Sequence, residues 1–311
     1  MSLAAAIRRR GNLLIAGGAL VGIALPPLAE ATRPLLLPLS AATMLLALLR
    51  VEPAALGGVL RRPLLALLVL GWVTAAVPLL VYVVLSAALP PDHAWLRGGV
   101  LIAAAPSVMS AAAFALLLGA DAALLTVVAL PSNALAPLVL PAAAALLGIG
   151  ASLDPAAMAL RLALLVGTAF GGAALVAAAV GRPRLRAAGP GLDTTLVVFV
   201  AVSALPCMAD VGPALAEAPG EFAAALGFAL GLNLALQAIG AVVFWRAPVR
   251  AALSAGLVTG SRNNVLLLAA IAGGADAGLG LVVACAQLTL FIAPAIVAPV
   301  YRCLLARRGQ A

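Results

Sequence analysis

The sequence predicts an all-α membrane protein of ten transmembrane helices, built from two inverted five-helix repeats with two crossed, broken helices. Of its 311 residues, 65% are apolar and 9% are charged, whereas soluble domains contain about 25% charged residues. The apolar residues form ten stretches, most of them long enough to cross a bilayer. Two of these stretches are interrupted by polar residues at matching places. We therefore expect the lipid bilayer to surround the chain.

The ten stretches are bounded by charges and by Gly and Pro clusters. They lie at 11–30, 34–49, 63–89, 95–118, 122–148, 155–180, 191–209, 221–245, 250–273 and 279–302. The first stretch follows three arginines and so has features of a signal peptide. Removing it would leave nine stretches and break the five-plus-five symmetry, so we expect it to be a membrane helix.

The arginines predict the orientation, because basic residues concentrate in cytoplasmic loops. In the ten-helix arrangement most of them fall on one side, and only Arg33 and Arg97 lie in loops of the other. The first side carries Arg8, Arg9, Arg10, Arg50, Arg61, Arg62, Arg182, Arg184, Arg186, Arg246, Arg250, Arg302, Arg307 and Arg308. We expect a protein of the bacterial cytoplasmic (inner) membrane with both termini in the cytoplasm.

Polar interruptions in the fourth and ninth stretches predict the functional site. The fourth is broken at Pro106–Ser110 and the ninth at Gly260–Asn264. A broken helix frees backbone groups, which in a membrane need partners within the protein or a watery cavity. If the two breaks cross, half-helix ends offer N–H groups to an anion and carbonyls to a cation. For the fourth stretch alone, a kink that only adjusts helix packing is an equal alternative to a binding site.

We predict a substrate-binding site made of polar residues at the breaks and on the adjacent helices. The candidates are Ser107, Ser110, Ser132, Asn133, Asn233, Gln237, Ser261, Arg262, Asn263, Asn264 and Gln287. Asn233 and Gln237 share one helical face, and hydrogen bonding between helices would explain them equally well. Ser132, Asn133 and Gln287 lie on helices expected beside the crossing.

Two arginines fall inside apolar stretches. Arg262 would be costly in a membrane unless it is paired or hydrated. It either faces the substrate or caps the C-terminus of a half-helix. Arg161 lies close enough to the end of its stretch for the side chain to reach the membrane interface.

Several classes of function are disfavoured by the sequence. The net charge of +8 comes from scattered arginines rather than one basic face, which argues against nucleic-acid binding. The sequence holds one histidine, His93, and no nucleophile elbow, zinc motif or P-loop. Its three cysteines lack metal-ligand spacing. We expect no enzymatic activity, no cofactor and no metal site.

Three segments resemble the bile acid/sodium symporter family. They are Pro106–Ser110 with Leu117–Leu124, then Ala136–Pro141, and Gly260–Asn264. The resemblance implies panel helices 1–2 at residues 1–62, core helices 3–5 at 63–150, panel helices 6–7 at 151–210 and core helices 8–10 at 211–311. It also implies alternating access by relative motion of panel and core. The wider superfamily includes auxin and arsenite carriers, so the fold does not fix the substrate.

The sequence departs from the sodium-coupled members of that family at the ion ligands. A family Ser-Asn pair aligns with Ala111 and Ala112, and a family Glu and Gln align with Val258 and Arg262. Asn263 matches the family Asn. The third helix lacks the family Gln, and Thr74 is its main central polar residue. A fixed cation therefore stands where the family places ion ligands.

These observations lead us to expect a secondary transporter of a small organic anion that works by alternating access without sodium coupling. The alternatives are a sodium-coupled symporter with an altered site, a non-transporting membrane receptor or sensor, and a channel-like uniporter. The sequence leaves the substrate, the direction of transport and the oligomeric state open.

Overall fold

The described residues of the computed structural model are 11–51, 63–109, 115, 118–148 and 154–307. They form α-helices joined by short connections, and no named β-strand occurs within these ranges. The helices are α1 Gly11–Ala24, α2 Pro26–Thr32, α3 Leu36–Arg50, α4 Pro63–Gly71, α5 Val77–Ser86, α6 Ala94–Ala104, α7 Ala122–Leu146, α8 Pro155–Val180, α9 Arg182–Ala187, α10 Gly189–Ala204, α11 Val211–Glu217, α12 Pro219–Val243, α13 Val249–Gly260, α14 Asn264–Ile271 and α15 Ala277–Arg307. A π-helical turn, Trp72–Ala76, joins α4 to α5.

Six continuous helical segments are long and apolar enough to cross a membrane. They are Pro26–Arg50, Pro63–Ser86, Ala122–Leu146, Pro155–Val180, Gly189–Met208 and Pro219–Val243. Helix α15 would be a seventh if its two parts form one spanning segment. It bends by 44° between Leu290 and Ile292. Pro294 has no N–H to donate to the Leu290 carbonyl, which explains a bend at this place.

The all-helical prediction is confirmed for the described residues, but the count of ten spanning helices and the inverted repeat are not. The fourth and ninth expected helices are divided by their breaks. Helices α6 and α13 have 11 and 12 residues, well short of the roughly 20 that span a bilayer. Helix α1 has 14 residues, and the ten residues before it lie outside the described ranges.

Large apolar side chains cover the outer surface of the helices. Leu13, Leu64, Leu138 and Leu175 are each about 70% exposed. Monomeric soluble proteins rarely expose contiguous apolar surface of this kind. The exposed leucines, together with the long apolar helices, indicate that the protein is embedded in a membrane.

The helices pack as two groups. Group A contains α1–α3 and α8–α10, and group B contains α4–α7 and α12–α15. Helix α11 connects them and packs on α12 and α15. Helix α8 packs almost as extensively on α7 of group B as on α3 of group A, so this pair joins the two groups. The panel and core domains implied by the resemblance stay a prediction.

The molecule has two ends that the polar loops define. We call the end where α6, α8 and α15 begin the upper end, and the end where α13 begins the lower end. Arg97 pairs with Asp276 at the upper end, with Nη2 2.5 Å from Oδ2. Arg50 pairs with Asp193 at the lower end, with 2.6 Å between Nε and Oδ1.

Buried apolar residues form two clusters, and group B contributes to both. The upper cluster includes the buried residues of α6, α14 and the first part of α15. The lower cluster includes those of α4, α13 and the last part of α15. The group A residues in these clusters all belong to the first one, and they include Leu48, Leu49 and Leu185 near the lower end. In group A this cluster therefore extends from the upper end to the lower end.

Candidate functional site

The two helix breaks lie against each other and exchange backbone hydrogen bonds. The Asn263 N–H donates to the Pro106 carbonyl at 2.8 Å, and the Val108 N–H donates to the Ser261 carbonyl at 3.1 Å. Between these bonds, Ser107 and Arg262 form an isolated antiparallel bridge. Each break thus supplies partners for backbone groups that the other leaves free, as a low-dielectric interior requires.

Local chemistry explains why the chain leaves the helix at both places. Pro106 disfavours helical geometry for the residue before it, and Ala105 has an extended ψ of 145°. Ser261 has ψ 91°, which ends α13. The Asn263 side chain then accepts from the Leu266 N–H at 3.2 Å, which caps α14 at its N-terminus.

The guanidinium of Arg262 lies at the ends of two half-helices. Its Nε donates to the Thr259 carbonyl at 2.8 Å, and Nη1 donates to the Ala105 carbonyl at 3.0 Å. These carbonyls lie at the C-termini of α13 and α6, where the helix dipole is negative. Nη1 also reaches the Val73 carbonyl at 3.2 Å. The Arg262 side chain is 1% exposed, and it caps both half-helices at once.

A π-helical turn brings the third acceptor to Arg262. Val73 lies in the turn Trp72–Ala76, a type of distortion that is frequent at functional sites. In the same turn, Trp72 Nε1 donates to the Thr259 hydroxyl at 3.1 Å. The turn is therefore joined to the α13 break by both a side chain and a backbone carbonyl.

Two side chains of α7 hold the first break. Asn133 Nδ2 donates to the Ser107 carbonyl at 2.8 Å, and the Ser132 hydroxyl accepts from the Ser107 N–H at 3.2 Å. Asn263 Nδ2 lies 3.5 Å from Asn133 Oδ1. The α7 pair thus supports the first break directly and contacts the second through Asn263.

Two side chains of α12 hold the second break. Asn233 Nδ2 donates to the Gly260 carbonyl at 2.9 Å, and Gln237 Nε2 donates to Asn233 Oδ1 at 2.7 Å. Because a carbonyl only accepts, these bonds fix the orientation of both amides. Gln237 Oε1 is buried and has no partner within the described part of the chain.

These polar groups form a layer between the two apolar clusters. In α7, Ser132 and Asn133 separate lower-cluster residues from upper-cluster residues, and Gln287 and Thr289 do the same in α15. Among the buried polar and charged residues that the structure describes, Arg262 is the only charged one. We call this set the polar layer, and it carries one positive charge.

The structure brings most of the predicted site residues together. A connected set of hydrogen bonds and the break-to-break bridge join Ser107, Ser132, Asn133, Asn233, Gln237, Ser261, Arg262 and Asn263. Asn264 and Gln287 are buried, and each has a side-chain carbonyl oxygen without a partner in the described ranges. Ser110 lies outside the described residues.

The sequence offers the cap of a half-helix C-terminus as one alternative for Arg262, and the structure shows that contact at two half-helices. Sequence reasoning missed which carbonyls accept, because Ala105 and Val73 are apolar residues whose backbone atoms leave no signature in the sequence. Trp72 was also missed, although an aromatic residue with a donor close to the middle of an apolar stretch is a signal that could have been used.

No group of three or more His, Cys, Asp or Glu in the described part of the chain could hold a metal ion. No protein-family model matches the sequence, and no curated protein matches it. The resemblance to the bile acid/sodium symporter family therefore depends on the motif residues alone.

Proposed function

We propose that this protein is a secondary transporter that carries a small organic anion across a membrane by alternating access, without sodium. The proposal includes ten spanning helices in two inverted five-helix repeats. The observation that carries it is the crossing of two broken helices around a buried arginine. A broken-helix crossing near the membrane midplane is the usual construction of a secondary-transporter site.

The polarity of the half-helices favours an anion as the substrate. The negative C-terminal ends of α6 and α13 are already occupied by the Arg262 guanidinium. Helix α14 begins at Asn264 beside the crossing, and the dipole at a helix N-terminus favours an anion. Asn263, which caps this N-terminus, is partly exposed.

The position of Arg262 argues against a need for sodium. Its guanidinium makes the contacts with backbone carbonyls that a sodium ion would make. The resemblance implies two sodium ions and one Glu in the family pocket, a net charge of plus one. Arg262 alone supplies the same charge, because no carboxylate is among the described buried residues.

A thermal-shift screen of organic acids on the purified protein would identify the substrate, because a ligand that binds the folded form raises the melting temperature. The best ligand is then tested for counterflow in proteoliposomes. Saturable counterflow is the result expected of a carrier. A ligand that binds without crossing would indicate a receptor, and a flux that does not saturate would indicate a channel.

Asn263→Ala should reduce uptake at limiting substrate by about tenfold while expression stays close to normal. The substitution removes the α14 cap, whose loss costs about 1 kcal/mol, and the contact with Asn133. Thr168→Ala is the control, since that hydroxyl lies on α8 and bonds only to its own helix. Wild-type uptake by the Asn263 variant would place the substrate elsewhere.

We also propose that the lower end faces the cytoplasm, since the arginine-rich loops lie there. Single cysteines at positions 184 and 217, both exposed, would be introduced on a background free of the three native cysteines. An impermeant maleimide added to intact cells should label position 217 and leave position 184 unlabelled. The opposite pattern would invert the orientation.

A further inference from the structure

Groups A and B are in contact at the upper end through α14. In the described residues, α3 and α8 pack on α14, and α8 also packs on α7. Helix α13, the lower half of the same broken helix, has no extensive contact with group A in these residues. Because α14 leads from the crossing to the upper end, the interface between the groups is closed there.

A guanidinium from group A reaches across this interface. Arg161 of α8 donates from Nη1 to the Ala272 carbonyl at 2.7 Å. Ala272 is the C-cap of α14, so the arginine lies at the negative end of a helix dipole. The sequence predicts only that Arg161 reaches the membrane interface, and the structure adds an acceptor on the other group.

A second contact supports the same end of the interface. Asp210 follows α10, the last helix of group A, in the chain. Its carboxylate accepts a hydrogen bond from Arg33 Nη2 at 2.6 Å. Its carboxylate lies against Gly280 of α15, where an added Cβ would be 2.9 Å from Asp210 Cγ. Because Gly280 has no side chain, the pair Arg33–Asp210 from the group A side can approach α15 of group B closely.

Two arginine contacts at the lower end have a different arrangement. Arg182 donates to the Val51 carbonyl at 3.1 Å, and Arg50 pairs with Asp193. All four residues belong to group A or its connections. These two contacts therefore do not join group A to group B, whereas the contact between Arg161 and Ala272 does.

We propose that Arg161 and the Ala272 carbonyl form a latch that holds the upper end closed and must open once in each transport cycle. The proposal rests on the proposed function, because alternating access supplies the motion that opens the latch.

The test measures the labelling of a buried cysteine and needs no substrate. Ala270 is 2% exposed on α14, which packs against α3 and α8. Ala270→Cys is introduced on the background without native cysteines, and its reaction with a water-soluble maleimide is timed. Arg161→Ala should raise the labelling rate about fivefold, because it removes a hydrogen bond from a charged donor. Arg161→Lys, which keeps a cationic donor, should raise it less.

Arg182→Ala is the matched control, because it removes an equivalent arginine-to-carbonyl bond within group A. It should leave the labelling rate at position 270 unchanged. An unchanged rate in Arg161→Ala, or an equal rise in Arg161→Ala and Arg182→Ala, would overturn the latch. Because labelling is independent of transport, a failure of the latch is distinguishable from a failure of the transport proposal, which the counterflow assay detects.

Discussion

Arg262→Gln is expected to reduce transport at least about a hundredfold. The guanidinium donates to the carbonyls of Thr259, Ala105 and Val73, and bonds from charged donors contribute about 1.5–3 kcal/mol each. A glutamine amide can donate two hydrogen bonds and carries no charge. The variant therefore leaves two negative helix ends without their cation and removes the counter-ion that we propose for the anion. Uptake of the identified substrate into proteoliposomes measures the loss.

Two further variants separate a loss of charge from a loss of folding. Arg262→Lys keeps the cation but loses the planar set of donors, so its activity should fall between those of wild type and Arg262→Gln. Arg182→Gln removes an exposed arginine that also donates to a carbonyl, and it should transport nearly as wild type does. Wild-type transport by a folded Arg262→Gln protein would exclude Arg262 as the counter-ion.

Gly260→Ala is expected to destabilise the protein by about 3 kcal/mol, the upper part of the range for overpacking, because a backbone oxygen of α12 cannot move aside as a side chain can. A Cβ at this position would lie 2.6 Å from the Asn233 carbonyl oxygen and would also collide with the Gln237 side chain. Helices α12 and α13 would have to separate at the second break. The melting temperature of the detergent-purified protein measures the effect.

Gly231→Ala is the matched control for Gly260→Ala. Gly231 lies on α12 and has nothing within 4 Å of its added Cβ. Because alanine is a better helix former than glycine by about 1 kcal/mol, this variant should be as stable as wild type or more so. Equal melting temperatures for the two variants would mean that α12 does not approach the break as closely as described.

The breaks themselves could be predicted from the sequence, because Pro106 and the polar run at Gly260–Asn264 are incompatible with a continuous apolar helix. Most of the polar partners could be predicted as well. Ser132, Asn133 and Asn233 are polar residues in apolar helices, and each hydrogen-bonds to the backbone of a break. Residue type was sufficient to identify them.

The particular acceptors of Arg262 could not be predicted, although the cap of a half-helix is one alternative that the sequence offers, because the carbonyls are brought together by tertiary packing. The π-helical turn at Trp72–Ala76 could not be predicted either, because no residue pattern distinguishes it from an α-helix. The count of ten spanning helices is not confirmed for a related reason: a break turns one apolar stretch into two short helices, as α13 and α14 illustrate.

We propose that Arg262 takes the place of bound sodium in an anion carrier. Uptake of the identified substrate should be measured in proteoliposomes made from the same preparation, with equal concentrations of sodium or choline outside. Equal initial rates are expected in the two buffers, because the cation of the crossing is part of the chain. A strong sodium requirement of the wild-type protein would contradict it and would mean that other groups near Ser261 still bind the ion.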